Sequence, residues 1–211
     1  MSFYDDFVRI PHKGSEIFVS LSKPCKYSAL AVKNIQASLI LFRSLIRIFA
    51  IIKILNHRIY MNIGDKVPER LGLNEKGEEV LLSNYRGKKV VLYFYPKDNT
   101  SGCTAEACSL RDNYSALRNQ GYEVIGVSVD SAASHQKFID KHQLPFTLIA
   151  DTEHELVEAM GVWGEKSMYG RKYMGTFRTT FIIDENGVVE QIYLPKEIKT
   201  STHGEQLLAK K

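Results

Sequence analysis

Cysteine, tryptophan and proline are scarce in this chain of 211 residues, which contains three, one and six of them respectively. Three cysteines are too few to cross-link a chain of this length, so a disulfide scaffold is excluded and a reducing, cytoplasmic location is expected. The formal net charge of +4 is too small to favour a nucleic-acid partner. With 44% hydrophobic and 25% charged residues, the composition is that of a soluble globular protein.

The first 60 residues differ from the rest of the chain in charge. Residues 1–60 carry nine basic and three acidic side chains, and the remainder carries 19 and 21. An apolar run at 39–55 is interrupted by three basic residues and is shorter than the roughly 20 apolar residues of a spanning helix. A membrane anchor, a cleaved targeting segment and an upstream stretch read from a start codon placed too early all stay open, and we favour the last. Membrane contact is expected only if the run is an anchor. We therefore divide the chain into a basic extension and a domain at 61–211.

Strand and helix patterns alternate along this domain. Runs of β-branched and aromatic residues predict strands, and apolar residues spaced by three or four predict helices. The predicted strands are 88–95, 123–129, 145–150, 179–184 and 188–194. The predicted helices are 104–119, 133–141, 153–160 and 203–208. Asn186-Gly187 favours a tight turn that joins the last two strands in a hairpin. This order predicts an α/β fold with a mixed central sheet and helices on both faces.

The segment from Pro96 to Cys108 carries the strongest chemical signal. Cys103 stands where a loop becomes the first turn of a helix. Unpaired backbone N–H groups and the helix dipole there favour its thiolate over its thiol. Gly102 lets a second molecule approach the sulfur, and Thr100 places a hydroxyl within reach of the sulfur or of a bound oxygen. These residues predict an activated nucleophile.

Cys108 follows Cys103 by five residues on the same predicted helix. Helix geometry separates their Cα atoms by roughly 8.6 Å, whereas a disulfide needs about 4.4–6.8 Å. Either the two sulfurs never bond, or the first turns of the helix unwind during a catalytic cycle. We predict the unwinding.

Several separated motifs resemble those of the peroxiredoxins. Pro96-x-x-x-Thr100-x-x-Cys103 matches the active-site motif of that family. The Cys103-x4-Cys108 spacing is similar to that of its bacterioferritin comigratory protein subfamily. Further segments similar to that subfamily are 93–98, 161–166 and 177–184. The resemblance covers the chain from about Met61 to its end.

The resemblance implies a thioredoxin-like fold and the reduction of hydrogen peroxide or organic hydroperoxides. Cys103 would be the peroxidatic cysteine, whose thiolate attacks the O–O bond and becomes a sulfenic acid. Cys108 would be the resolving cysteine, which forms an intramolecular disulfide that a thioredoxin-type dithiol reduces. Thr100 and Arg178 match the peroxide-binding pair of the family, and Pro96 matches its shielding proline. A zinc site needs four ligands, and no second Cys/His pair stands at ligand spacing, so we expect no metal. We also expect no cofactor and a monomer.

Two other functions stay open. One is a general thiol-disulfide oxidoreductase on the same fold, although the usual C-x-x-C spacing is missing. The other is a redox-sensing or membrane-tethered adaptor without enzymatic activity. A packing role for Cys108 and a surface position for Arg178 also stay open. Ser101 stands where many relatives have proline, which predicts a less rigid loop before Cys103.

The remaining aromatic, cysteine and histidine side chains carry weaker signals. Trp163 and Tyr169 are compatible with core packing and equally with lining the mouth of the site. Cys25 lies in the extension and is assigned no role. Four scattered histidines are interpreted as surface residues: His135, His142, His154 and His203.

Overall fold

The computed structural model describes four stretches of the chain, residues 7–12, 15–20, 61–168 and 170–209. The chain divides into two units, Met1–His57 and Arg58–Lys211. In the first unit, strand β1 (Phe7–His12) pairs antiparallel with β2 (Ser15–Ser20). The apolar run at 39–55 lies outside the described residues. Within the four described stretches, no helix has the length and hydropathy to cross a membrane.

Strands and helices alternate along the second unit. Its strands are β3 (Arg70–Leu73), β4 (Glu79–Leu81), β5 (Lys89–Phe94), β6 (Tyr122–Ser128), β7 (Thr147–Ala150), β8 (Trp163–Met168), β9 (Arg171–Thr176), β10 (Thr179–Ile183) and β11 (Val189–Tyr193). Its helices are α1 (Ser101–Asp112), α2 (Tyr114–Asn119), α3 (Ala132–His142), α4 (Glu155–Ala159) and α5 (His203–Leu208). The helices predicted at 133–141, 153–160 and 203–208 are confirmed to within two residues at each end.

Five strands form the central sheet, in the order β11-β10-β5-β6-β7. Strands β5, β6 and β7 are parallel, and β10 is antiparallel to both β5 and β11. The predicted mixed sheet and its terminal hairpin are therefore confirmed. Thr179, at the start of β10, pairs with Phe94, at the end of β5. Arg178 directly precedes Thr179, so this register places it at the edge of the sheet where the loop after β5 begins.

The two faces of the sheet belong to separate hydrophobic layers. The layer on one face includes buried side chains from four helices, Leu110, Leu117, Phe138 and Leu207. The layer on the other face includes Leu156 and Val157 of α4 and Leu71 and Val80 of the β3–β4 hairpin. The predicted covering of both faces by helices is confirmed. On the second face, however, a five-residue helix shares that role with a hairpin.

The helix predicted over 104–119 is wrong in its extent. It begins three residues earlier, and Asn113 divides it into α1 and α2. The Asn113 side-chain amide and backbone N–H both donate to the Ser109 carbonyl, at 2.9 Å and 3.3 Å. The side-chain bond shares the acceptor of the regular i→i−4 backbone bond, and local side-chain bonds of this kind compete with the helical pattern. Gly121, which follows α2, has a positive φ of +83°.

The sequence did not indicate the two hairpins of the second unit that lie outside the central sheet, β3–β4 and β8–β9. Strands β3 and β4 contain only four and three residues. The first four residues of β9 are exposed, so no apolar alternation marks that strand. The β8–β9 hairpin leads directly into Arg178, and it is therefore part of the surroundings of the candidate site.

Candidate active site

The Cys103 sulfur lies in the first turn of α1, beneath the end of strand β5. The residue is 1% exposed and packs in the same layer as Tyr93 and Tyr95. Nη2 of Arg178 donates a hydrogen bond to its Sγ over 3.2 Å. The N-terminal end of a helix dipole and a guanidinium thus direct positive charge at one sulfur.

The other residues singled out by the sequence lie in the loop before α1. Pro96 is half-buried, and Thr100 is exposed. The Thr100 hydroxyl donates to the Lys97 carbonyl at 3.0 Å. A Cβ added to Gly102 would lie 3.5 Å from Nη2 of Arg178, which is an ordinary contact. The structure therefore brings Arg178 directly to the sulfur and places Thr100 and Pro96 on the chain leading up to it.

Arg178 is shared between Cys103 and a buried carboxyl group. Its Nη1 is ion-paired with Glu106, which is fully buried on α1. Burial lowers the pKa of Arg178, but Glu106 and Cys103 outweigh that effect and raise it above the ordinary value. Burial raises the pKa of Glu106 to about 7, although Arg178 opposes that shift. Arg178 therefore contacts two groups at once, the Glu106 carboxyl through Nη1 and the Cys103 sulfur through Nη2.

His203 lies behind Glu106 and is fully buried, which corrects its interpretation as a surface residue. Its Nδ1 is 3.1 Å from the Gln206 side-chain oxygen, and its Nε2 is 2.9 Å from the Thr180 hydroxyl. The ring therefore donates from Nδ1 and accepts at Nε2 in its neutral form. Burial also lowers the pKa of His203. Nε2 of His203 is 4.0 Å from the Glu106 carboxyl group, but a neutral ring does not balance a carboxylate charge. Arg178 is the cation that pairs with Glu106.

Lys166, on strand β8, contacts the segment that leads to Arg178. Its Nζ donates to the Thr176 carbonyl at 3.0 Å and lies 5.6 Å from the centre of the Phe177 ring. Burial lowers the pKa of Lys166, and Arg178 lowers it further, while Cys103 acts in the opposite direction. Lys166 thereby fixes the two residues that precede Arg178.

A buried polar cluster, Asp98 with His135, fixes the loop between Pro96 and α1. The Asp98 carboxylate accepts hydrogen bonds from the hydroxyls of Tyr95 and Ser134, at 2.8 Å and 2.7 Å. Nδ1 of His135 is 2.9 Å from the same carboxylate, and its Nε2 is 3.0 Å from the Ile149 carbonyl. Both ring nitrogens therefore face oxygen atoms that accept hydrogen bonds. His135 is fully buried, and its interpretation as a surface residue was wrong.

The Asp98–His135 pair is expected to make the fold sensitive to acid. Burial raises the pKa of Asp98, but the hydrogen bond and charge of His135 outweigh burial and hold it below its usual value. A lowered carboxyl pKa stabilises the folded state above about pH 4, and this contribution is lost as the pH falls through the folded pKa. Asp98→Asn should therefore lower the unfolding free energy by about 3 kcal/mol at neutral pH, with a smaller loss in acid.

Urea denaturation at several pH values measures this effect. Asp140→Asn, on the exposed side of α3, is the matched control and should change the unfolding free energy by less than about 0.5 kcal/mol. A loss for Asp98→Asn that stays the same from neutral pH into acid would contradict the ion pair.

Cys108 lies on the same helix as Cys103, and both thiols are free. Cys103 is buried, whereas Cys108 is partly exposed. Because both residues are in regular α-helix, the separation of roughly 8.6 Å between their Cα atoms follows from helix geometry. A disulfide between them needs a rearrangement of α1.

Sequence reasoning missed Glu106, His135 and Lys166 as parts of the site. Glu106 follows Cys103 by three residues, a spacing that puts two side chains on one face of a helix, and this signal was available. His135 and Lys166 contact the site through tertiary structure, which no local pattern indicates. The Trp163 ring lies 4.3 Å from the ring of His154 and packs against the core layer on the opposite face of the sheet. Tyr169 is outside the described residues.

Comparisons with known proteins agree with these features. Residues 63–192 match the AhpC/TSA family. Peroxiredoxin Bcp of Bacillus subtilis is 50% identical over 127 residues, which are 60% of this chain and 81% of that protein. Peroxiredoxin Bcp of Escherichia coli K12 is 40% identical over 148 residues, which are 70% of this chain and 94% of that protein.

Solved structures give the same result. The bacterioferritin comigratory protein of Xanthomonas campestris, studied for its alkyl peroxide reduction activity, has a TM-score of 0.64 and 31% identity. That match covers 71% of this chain and 92% of the solved one. Peroxiredoxin Q of the same organism has a TM-score of 0.60 and 34% identity, over 65% of this chain and 85% of the solved one.

Proposed function

The chain belongs to the AhpC/TSA family as a thiol peroxidase of the Bcp/PrxQ type, and on that premise we propose that Cys103 is its peroxidatic cysteine. One observation carries the proposal: the buried Cys103 sulfur, in the first turn of a helix, accepts a hydrogen bond from Arg178. The proposed substrates are hydrogen peroxide and organic hydroperoxides. Support for the organic class comes from the Xanthomonas relative with alkyl peroxide reduction activity.

In the first proposed step, the Cys103 thiolate attacks the terminal oxygen of the hydroperoxide. A sulfur–oxygen bond forms as the O–O bond breaks, so the sulfur is oxidised to a sulfenic acid and the peroxide is reduced. The departing oxygen takes up a proton and leaves as water or as an alcohol. Arg178 stabilises the thiolate and the negative charge on the departing oxygen. Thr100 binds the peroxide with it, and Pro96 shields the sulfur.

In the second proposed step, Cys108 resolves the sulfenic acid to an intramolecular disulfide. Both residues are in α1, so the first turn of this helix, which begins at Ser101, must unwind. Partial exposure of Cys108 is consistent with this role, since a purely structural thiol is usually fully buried. Thioredoxin or a similar dithiol then reduces the disulfide by thiol–disulfide exchange. The cycle uses one subunit and a reducing compartment, so the proposal includes a monomer in the cytoplasm.

Reduced protein treated with one equivalent of hydroperoxide tests this function. We expect rapid loss of the peroxide, a peptide pair linked between Cys103 and Cys108 by mass spectrometry, and faster amide exchange over residues 101–112 in the oxidised form. Addition of thioredoxin, its reductase and NADPH should give continuous turnover.

Each measurement tests a different part of the proposal, and a negative result contradicts that part alone. Peroxide loss without the linked peptide would show that Cys108 is not the resolving residue. Equal amide exchange in both redox states would show that the first turn of α1 does not unwind. A general thiol-disulfide oxidoreductase would reduce a model disulfide readily and consume peroxide slowly, and this result would favour the alternative enzyme. An adaptor would do neither.

A further inference from the structure

The Lys166 side chain crosses the β8–β9 hairpin diagonally. Lys166 pairs with Tyr173 of the opposite strand. The next pair on the same face is Gly164 with Gly175, and neither residue has a side chain. A Cβ added to Gly175 would lie 3.2 Å from Cδ of Lys166 and 3.2 Å from Cε2 of Tyr173. The lysine stem and the tyrosine ring therefore lie over the space that this glycine leaves.

This path brings the Lys166 ammonium group to the end of the hairpin. Its Nζ donates to the Thr176 carbonyl over 3.0 Å and lies 5.6 Å from the centre of the Phe177 ring. Lys166 is half-buried, and partial removal of water strengthens a cation's contact with an aromatic ring and its hydrogen bonds. One side chain of β8 therefore contacts both residues that precede Arg178.

The backbone just before Arg178 is fixed by two hydrogen bonds on one peptide group, which joins Thr176 to Phe177. Its carbonyl accepts from Nζ of Lys166 at 3.0 Å, and its N–H donates to the Val162 carbonyl at 2.7 Å. Both polar atoms of this peptide group are thus bonded to the β8 side of the hairpin. The direction in which the chain enters Arg178 depends on this peptide group, and Lys166 supplies one of its two bonds.

We propose that Lys166 is a positioning residue for the peroxidatic step, which fixes the connection between β9 and β10 and so directs the Arg178 guanidinium at the Cys103 sulfur. This inference rests on the proposed function, in which Arg178 stabilises the thiolate and the departing oxygen. Nη2 of Arg178 reaches the sulfur over 3.2 Å. A displacement of about 1 Å in a catalytic contact costs up to about 10²-fold in rate. A loosened connection is therefore expected to slow the attack on the peroxide.

The position and the charge of Lys166 make different predictions. A cation that acts through space favours the thiolate whether or not its Nζ is bonded to the Thr176 carbonyl. A positioning residue needs that bond. Gly175→Ala separates the two effects, because it keeps every charge and fills the space beneath the lysine stem.

Stopped-flow oxidation of Cys103 by hydroperoxide in the full-length protein tests the proposal. Lys166→Met keeps an unbranched stem without the ammonium group, and we expect a second-order rate about tenfold below wild type. Lys166→Arg keeps a cation and an N–H donor and should return the rate to within about threefold of wild type. Lys172→Met is the matched control and should keep the wild-type rate. Lys172 lies on the other face of the hairpin, is 73% exposed and pairs with Glu165.

Two further variants show whether Lys166 acts through Arg178. Gly175→Ala should cost about threefold, because the added methyl group displaces the lysine stem. Lys166→Met introduced into Arg178→Met should cost less than about twofold more, because the residue through which it acts is gone. Urea denaturation of each variant checks that the fold is kept.

Three results would overturn the proposal. One is a wild-type rate in Lys166→Met. Another is a full tenfold loss from Lys166→Met in the Arg178→Met background, which would show that Lys166 acts without Arg178. The third is a wild-type rate in Gly175→Ala beside a loss in Lys166→Met, which would assign the effect to charge alone. The proposed function fails on a different result, a wild-type protein whose Cys103 does not react with hydroperoxide.

Discussion

Replacing Cys103 by serine is expected to abolish peroxide turnover, with a loss of about 10⁴-fold or more. A serine hydroxyl stays protonated at neutral pH even beside a guanidinium, so the nucleophile is gone. The oxygen atom is smaller than sulfur and is compatible with the same buried position next to Arg178. The variant should therefore remain folded, which circular dichroism and urea denaturation check alongside the coupled peroxidase assay.

The other two cysteines provide the matched controls for Cys103→Ser. Cys108→Ser should still reduce one equivalent of peroxide, with sulfenic acid formation at the wild-type rate, and should then stop for lack of a resolving thiol. Cys25→Ser should retain full turnover, because no role is assigned to that residue. Full turnover by Cys103→Ser, or a normal cycle by Cys108→Ser, would assign the chemistry to another sulfur.

Replacing Arg178 by methionine is expected to lower the second-order rate of Cys103 with hydroperoxide by about 10²–10³-fold. The guanidinium donates a hydrogen bond to the sulfur at 3.2 Å. Without it, the thiolate loses a charged hydrogen-bond donor, and the departing oxygen loses the positive charge that stabilises it. The fold should tolerate the change. Burial already raises the pKa of Glu106 to about 7, so this carboxyl group takes up a proton once its partner is gone.

Two further arginine variants distinguish this effect from a general loss of charge. Arg178→Lys keeps a cation but cannot donate to Cys103 and Glu106 through two fixed N–H groups, and only a small part of the rate should return. Arg171→Met removes an exposed arginine at the start of β9 and should leave the rate unchanged. A wild-type rate in Arg178→Met, measured by stopped-flow mixing with hydroperoxide, would contradict the proposed role.

The local parts of this site were accessible from the sequence. The apolar runs of the five central strands predicted the mixed sheet, and the residues from Pro96 to Cys108 predicted that Cys103 stands at the start of a helix. These inferences succeeded because strand periodicity and helix-start chemistry depend on residues close together in the chain. Exact boundaries were harder, as the break at Asn113 shows, where a side-chain amide donates to the Ser109 carbonyl.

The parts that the sequence did not indicate are tertiary contacts. His135 and His203 are isolated polar residues in the sequence, yet each is fully buried by contacts with distant residues. Glu106 reads as an ordinary helix residue until Arg178 is placed beside it by the pairing of β5 with β10. Buried polar groups of this kind depend on partners that only the folded chain supplies.

The hydrogen bond between Arg178 and Cys103 joins residues 75 positions apart in the chain. Translation proceeds from the N-terminus, so a growing chain on the ribosome contains Cys103 before it contains its guanidinium partner. A fragment that ends before β10 therefore contains the thiol without the hydrogen bond from Arg178.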